Sequence, residues 1–116
     1  MRFDKLTTRF QQALADAQSL ALRNDNPYIE PAHLLSALLS DADSGSASLL
    51  ARAGVAVNRV TAGLNQLIAG YPQVQGAEGN IQISRKLQVI LARTEKEAMQ
   101  RGDEYIASEL VLLAMA

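Results

Sequence analysis

The sequence contains no cysteine and no tryptophan, and it has only two phenylalanines and one histidine. The lack of cysteine excludes a disulfide framework, and a single histidine leaves too few ligands for a structural zinc site. Aromatic residues are scarce although 48% of the residues are hydrophobic, which argues against a β-sandwich because its strands favour aromatic and β-branched side chains. We therefore predict an all-α fold of packed helices.

An excess of charge of one sign is also lacking, since 11 Lys and Arg residues face 12 Asp and Glu residues. Without a surplus of cations the chain cannot displace the counterions of a nucleic acid, so we expect no nucleic-acid partner. No apolar run approaches the ~20 residues that cross a bilayer, and the first residues lack the apolar segment of a secretory signal. We therefore expect no membrane partner and a cytoplasmic protein.

An internal repeat is the main feature of the sequence. A shift of 77 positions aligns residues 7–39 with 84–116 without gaps, and the apolar positions of the two segments largely agree. Eight pairs are identical: Gln11/Gln88, Leu14/Leu91, Ala15/Ala92, Ala21/Ala98, Tyr28/Tyr105, Ile29/Ile106, Leu35/Leu112 and Ala37/Ala114. Chance agreement between two Ala- and Leu-rich helices is the alternative, but the shared Tyr-Ile pair argues against it because it lies between helices.

Each copy is predicted to begin with two helices. The first starts after a capping hydroxyl, Thr7 or Ser84, and ends in turn residues at 24–27 or 101–103. The second starts at Pro31 or at Ser108, and its wide apolar face predicts a central position. The apolar stripes of the two first helices are Phe10, Ala13, Leu14, Ala17 and Ala21, and Leu87, Ile90, Leu91, Thr94 and Ala98.

Two further helices complete the first copy in this interpretation. One covers residues 47–52 and ends at Gly54; the other runs over 59–69 after a cap at Asn58. Its predicted inward residues are Val60, Leu64, Leu67 and Ile68. The predicted architecture is therefore a pseudo-duplicated four-helix repeat in one compact domain, with residues 1–69 as the first repeat, 70–83 as a linker and 84–116 as the first half of an incomplete second repeat. We expect a longer natural chain, because the last helix has an apolar face without a partner.

Candidate catalytic residues are few, and each has a simpler structural explanation. His33 is predicted to be a structural or partly exposed helix residue, and Ser44 lacks the strand and motif of a nucleophile elbow. The acidic pairs lie in polar stretches, where solvated surface explains them: Asp41/Asp43, Glu95/Glu97 and Asp103/Glu104. A phosphate-binding G-x-x-x-x-G-K-[ST] loop is absent, so we predict a non-catalytic domain that binds no cofactor. A small hydrolase and a purely structural role remain the alternatives.

Val89 and Leu110 add apolar side chains beside the core stripes, which indicates either ordinary packing or a shallow groove for an apolar peptide. Five further segments are informative together: MRFDKLT at 1–7, FQQALADAQSLA at 10–21, IEPAHLLSALL at 29–39, PQVQG at 72–76 and RGDEYIASEL at 101–110. In combination they resemble the amino-terminal Clp repeat domains of ClpB-type disaggregases more than those of the Clp ATPases that feed a protease.

This resemblance implies a hexameric AAA+ parent that binds ATP and Mg in other modules and works with the DnaK chaperone system. It implies that this domain engages unfolded or aggregated polypeptides, with adaptor docking as the alternative. The substrate-binding positions that it carries over are Thr7, Leu91, Asp103, Glu109 and Leu110. Arg93 and Glu97 stand where the family can place leucine, so we expect a more polar groove here.

Overall fold

The computed structural model describes residues 8–40, 46–74 and 81–100. The elements within these ranges are α1 (Thr8–Arg23), β1 (Tyr28–Ile29), α2 (Pro31–Ser40), α3 (Ser46–Arg52), α4 (Val57–Ala69), β2 (Gln82–Ile83) and α5 (Arg85–Gln100). The predicted helical fold is confirmed, with four helices in the first copy and the first helix of the second. The further helix predicted from Ser108 lies outside the described residues.

The two short strands form a feature that the sequence analysis missed. They pair in parallel, with Tyr28 opposite Gln82 and Ile29 opposite Ile83. The N–H of Gln82 donates to the carbonyl of Pro27 at 3.3 Å, and the N–H of Ser84 donates to the carbonyl of Ile29 at 3.0 Å. The last part of the predicted 70–83 linker therefore holds the start of α5 against the connection between α1 and α2.

The end of α1 confirms the turn predicted at residues 24–27. Asp25 adopts a left-handed conformation with φ of 54°, which reverses the chain direction after the last helical turn. The N–H groups of Asp25 and Asn26 then donate to the carbonyls of Leu22 and Ala21, at 3.1 and 2.9 Å. This Schellman arrangement satisfies two carbonyls that the helix end would otherwise leave unpaired.

The predicted starts of α2 and α5 are also confirmed. Pro31 is the first residue of α2, where its missing N–H costs nothing because first-turn N–H groups have no partner within the helix. At α5 the hydroxyl of Ser84 accepts a hydrogen bond from the N–H of Leu87 at 3.1 Å. The matching cap predicted at Thr7 lies outside the described residues.

The prediction for the third and fourth helices needs two corrections. Helix α3 ends at Arg52 and is followed by Gly54 as predicted, whose φ of 86° allows the same Schellman arrangement as at Asp25. However, α4 begins at Val57 after Ala56, so Asn58 lies inside its first turn and is not its cap. Leu67 is 56% exposed and does not face inward, because the buried residues Leu64 and Ile68 turn a neighbouring side of the helix toward α2.

Two separate apolar clusters lie on opposite sides of α2, which confirms the predicted central position of this helix. The main cluster joins α1, β1, α2 and α5 through Phe10, Ala13, Ala17, Ala21, Ile29, Leu34, Ala37, Leu38, Leu87 and Leu91. The smaller cluster joins α2 and α4 through Ala32, Leu64 and Ile68, with Leu20, Leu35, Leu39, Val60 and Tyr71 partly buried around it. Helix α5 is therefore anchored in the larger core by its inner side.

A candidate protein-binding surface

The substrate-binding positions predicted from the family resemblance fall mostly beyond the part of the chain that the structure describes. Thr7, Asp103, Glu109 and Leu110 lie outside residues 8–40, 46–74 and 81–100. Leu91 is described, and it is only 3% exposed within the main cluster. Its role in substrate binding stays a prediction, and a polar substitution there would disturb the core as well as any groove.

The outer side of α5 carries exposed residues that are close in sequence to Leu91, which is the described residue of the predicted site. Val89 is 45% exposed, and Ala92 is exposed one turn further along the helix. Because residues three or four positions apart are neighbours on a helix, these two form one small apolar area. The exposed cations around this area are Arg85, Lys86, Arg93 and Lys96. Of the two polar positions noted in the sequence, Arg93 lies at the surface, and the side chain of Glu97 lies outside the part of the chain that the structure describes.

The chemistry of this surface suits reversible contact with another polypeptide. An exposed valine and alanine offer a modest apolar area, and the long stems of lysine and arginine can extend that area while their charged ends stay in water. The four cations also create a local positive potential that can orient a partner. The surface is open and lies on a helix whose inner face is fixed in the core.

A second group of polar side chains lies in the interior, at the junction of the α1–α2 connection and the segment after α4. His33 is fully buried, so of the two roles predicted for it the structure favours the structural one over partial exposure. The N–H of Glu30 donates to His33 Nδ1 at 2.8 Å, so the ring proton is on Nε2, which donates to Asn26 Oδ1 at 2.9 Å. Asn26 Nδ2 donates in turn to the carbonyl of Pro72 at 3.1 Å.

This network ties together residues 46 positions apart and is joined by a backbone bond from Val74 N–H to the carbonyl of Asp25 at 2.7 Å. The ring of Tyr71 lies over His33, with centroids 5.4 Å apart. The network is not predictable from local sequence patterns, because its members are distant along the chain. The sequence feature that could have indicated the network is the polar His33 on an apolar helix face, with Asn26 in the preceding turn.

Burial controls the protonation of this network. Loss of contact with water lowers the pKa of His33, and the nearby Glu30 carboxylate opposes that effect only in part. Burial together with the Glu30 charge raises the pKa of Tyr71. The neutral form of His33 is also the form that its hydrogen bonds require, because Nδ1 must accept from a backbone N–H.

No metal-binding constellation is found among the described residues. Their His, Asp and Glu side chains form no group of three or more that could hold a metal ion. None of the helices within residues 8–40, 46–74 and 81–100 combines the length and apolar character of a membrane span.

Comparison with known proteins identifies relatives over nearly the whole chain. Residues 5–116 match the Clp repeat (R) N-terminal domain family. The chain is 42% identical over 114 residues to the chaperone protein ClpB of Pseudomonas putida, in an alignment that covers 98% of the chain and 13% of that relative. It therefore corresponds to a small part of the length of this relative.

Solved structures share the fold. The Hsp104 N-terminal domain from Candida albicans superposes with a TM-score of 0.85 at 23% identity, covering 95% of this chain and 72% of that one. A ClpV N-domain in complex with a VipB peptide superposes with a TM-score of 0.82 at 24% identity, covering 96% of this chain and 67% of that one.

Proposed function

We propose a function from the premise that this chain belongs to the Clp repeat (R) N-terminal domain family, as its match over residues 5–116 shows. The chain acts as the substrate-binding N-terminal domain of a ClpB-type disaggregase and engages unfolded or aggregated polypeptides. It has no catalytic role itself. The parent protein is a cytoplasmic, hexameric AAA+ ATPase that uses ATP and Mg in its other modules and cooperates with the DnaK system.

The observation that carries this proposal is the exposed apolar area on α5 within a fold shared with N-terminal domains of Hsp104 and ClpV. Unfolded chains expose apolar side chains, and covering them yields about 25 cal/mol per Å² before the costs of association. An area as small as Val89 and Ala92 gives weak binding. Weak binding suits a hexamer, because six tethered domains raise the effective concentration of binding sites. Weak binding also allows release, which a hexamer that threads polypeptides through its ring requires.

A titration with a permanently unfolded polypeptide, such as reduced and carboxymethylated lactalbumin, tests the proposal. We expect saturable binding to the 116-residue chain, weakened at least about threefold by Val89→Asp because a carboxylate would have to be desolvated against the substrate. The matched control is Leu67→Asp, which changes an exposed apolar residue on α4. Equal affinities of the wild type and Val89→Asp would contradict a substrate surface at this place.

Docking of a folded adaptor is the second candidate. The ClpV N-domain bound to a VipB peptide favours it, because that relative of the fold is seen with a defined peptide of one partner. Affinity capture with the 116-residue chain distinguishes the two functions. One folded protein recovered in a fixed ratio would support an adaptor, whereas many unfolded proteins competing with carboxymethylated lactalbumin would support substrate binding.

A further inference from the structure

The outer side of α5 has a charge pattern that its place in the repeat does not explain. The 77-residue shift matches five exposed positions of α5 with five exposed positions of α1. On α5 they are Arg85, Val89, Ala92, Arg93 and Lys96; on α1 they are Thr8, Gln12, Ala15, Asp16 and Ser19. At these five positions α5 thus bears three cations, whereas α1 bears one carboxylate.

The α1 surface also indicates whether later helices cover these positions. Helices α3 and α4 follow α1 and α2 in the first copy, and the five α1 positions nevertheless remain exposed. The outer side of a first helix is therefore not needed for packing within a copy. Since no packing requirement selects the residues there, the three cations of α5 are available for contact with a partner.

Positive charge is concentrated in this helix. Helix α5 contains Arg85, Lys86, Arg93 and Lys96 against the two carboxylates of Glu95 and Glu97, a net charge of +2. The remaining residues carry −3, which restores the overall charge of −1. An acidic partner is therefore attracted to the outer side of α5 and repelled by the average charge of the rest of the chain.

We propose that the outer side of α5 binds acidic polypeptide segments that also carry apolar residues. Carboxylates of the segment pair with Arg85, Arg93 and Lys96, while an apolar side chain between them covers Val89 and Ala92. The occupant is a polypeptide, because a nucleic acid offers no apolar side chain that could cover Val89 and Ala92 at the centre of the surface. This inference rests on the proposed substrate-binding function and adds the class of segment that is selected.

Fluorescence anisotropy with three labelled 12-residue peptides tests the inference. The peptides share the same apolar residues and differ only in carrying Glu, Gln or Lys at the other positions. We expect the Glu peptide to bind the 116-residue chain about threefold to tenfold more tightly than the Gln peptide in low salt, as exposed charge pairs permit. This preference should disappear near 0.5 M salt, because ions then screen charges beyond a few ångströms.

Two double variants with equal charge changes locate the effect. Arg93→Glu with Lys96→Glu should reverse the order of the Glu and Lys peptides, whereas Arg52→Glu with Arg59→Glu, which alters exposed cations of α3 and α4, should leave the order intact. All four changes are at exposed positions, so circular dichroism should show the same helical fold in each variant.

The outcomes separate this inference from the proposed function. Equal binding of the three peptides, or equal loss in both double variants, would overturn the selection of acidic segments while leaving substrate binding intact. Failure of all three peptides and of carboxymethylated lactalbumin to bind would overturn both. Tighter binding of a single-stranded oligonucleotide than of the Glu peptide would also overturn the inference, because the surface would then select polyanions and not polypeptides.

Discussion

Helices α1 and α5 occupy the same place in the two copies of the repeat, and they agree on their buried sides but differ on their exposed ones. Phe10 and its partner Leu87 are both fully buried, as are Ala17 and its partner Thr94. On the outer side, Asp16 corresponds to Arg93. The inner side is constrained because a core tolerates little change in volume, whereas the outer side is exposed and is free to acquire a function.

The connections between the first two helices differ more strongly. In the first copy Asn26 and His33 form the buried network that holds Pro72. The same shift places Asp103 at the position of Asn26 and Leu110 at that of His33, and both are predicted substrate-binding residues. The sequence thus replaces a structural polar pair of the first copy with a charged and an apolar residue in the second, which is consistent with different tasks for the two connections.

The largest effect should come from truncating the matched core residues. We expect Phe10→Ala to lower the free energy of unfolding by about 3–5 kcal/mol and Leu87→Ala by about 2–5 kcal/mol, because each leaves a cavity in the main cluster. Urea denaturation measures both. Val89→Ala, on the exposed side of α5, is the control and should cost less than about 0.5 kcal/mol. A similar cost for Val89 and Leu87 would break the assignment of inner and outer sides.

Removal of the polar network should have the next largest effect. Asn26→Ala leaves the buried Nε2–H of His33 and the carbonyl of Pro72 without this partner, which should cost about 1–3 kcal/mol. Asn58→Ala is the matched control, because Asn58 is exposed in the first turn of α4 and is not its cap. Equal stabilities of the two variants in urea denaturation would mean that the network does not stabilise the connection of the first copy.

Acidification should also destabilise the fold through this network, because it protonates His33. The pKa of His33 is lower in the folded chain than its ordinary value of 6.5, so the unfolded chain binds a proton first. Stability should therefore be full above pH 6.5 and fall below it, by at most about 1.4 kcal/mol per pH unit for this single proton, until the lowered pKa is reached.

Denaturation curves between pH 7.5 and 5.5 measure this effect. His33 is the only histidine, so His33→Gln should be less stable at pH 7.5 but nearly independent of pH across that range. An equally steep dependence in His33→Gln would assign the effect to other groups.

The smallest effect concerns the turn after α1. Asp25 holds the left-handed conformation there, while the matching position of the second copy is Gly102. Introducing the glycine as Asp25→Gly should raise the free energy of unfolding by about 0.5–1 kcal/mol, because glycine adopts this conformation without steric cost. The opposite change, Gly54→Ala after α3, should destabilise by about 1 kcal/mol. A loss of stability in Asp25→Gly would mean that the aspartate side chain contributes more than the strain costs.

Much of the fold could be predicted from local patterns. The stripe from Phe10 to Ala21, the cap at Ser84 and the first-turn position of Pro31 depend on neighbours within a few residues, and the structure confirms them. The same reasoning was wrong at Leu67 and Asn58. Periodicity shows that α4 is amphipathic, but which of its sides is buried depends on where α2 lies.

The candidate site was less accessible to such reasoning. The sequence placed Val89 beside the core stripe, where it could either pack in the core or line an exposed surface. Only the exposure of Val89 in the folded chain could decide between these alternatives. The family resemblance supplied Leu91, and the structure places that side chain in the core. The cationic outer side of α5 became visible only when exposure could be compared at equivalent positions of α1.

By itself the sequence determined the helical class, the duplication and the local starts and stops, because hydrogen bonding and spacing within a helix involve residues three or four apart. Only the tertiary structure decided the pairing of β1 with β2, the contact of Asn26 with Pro72 and the side of each helix that faces water. Those features join segments tens of residues apart, and the free energy of their contacts depends on a packing arrangement that no local pattern contains.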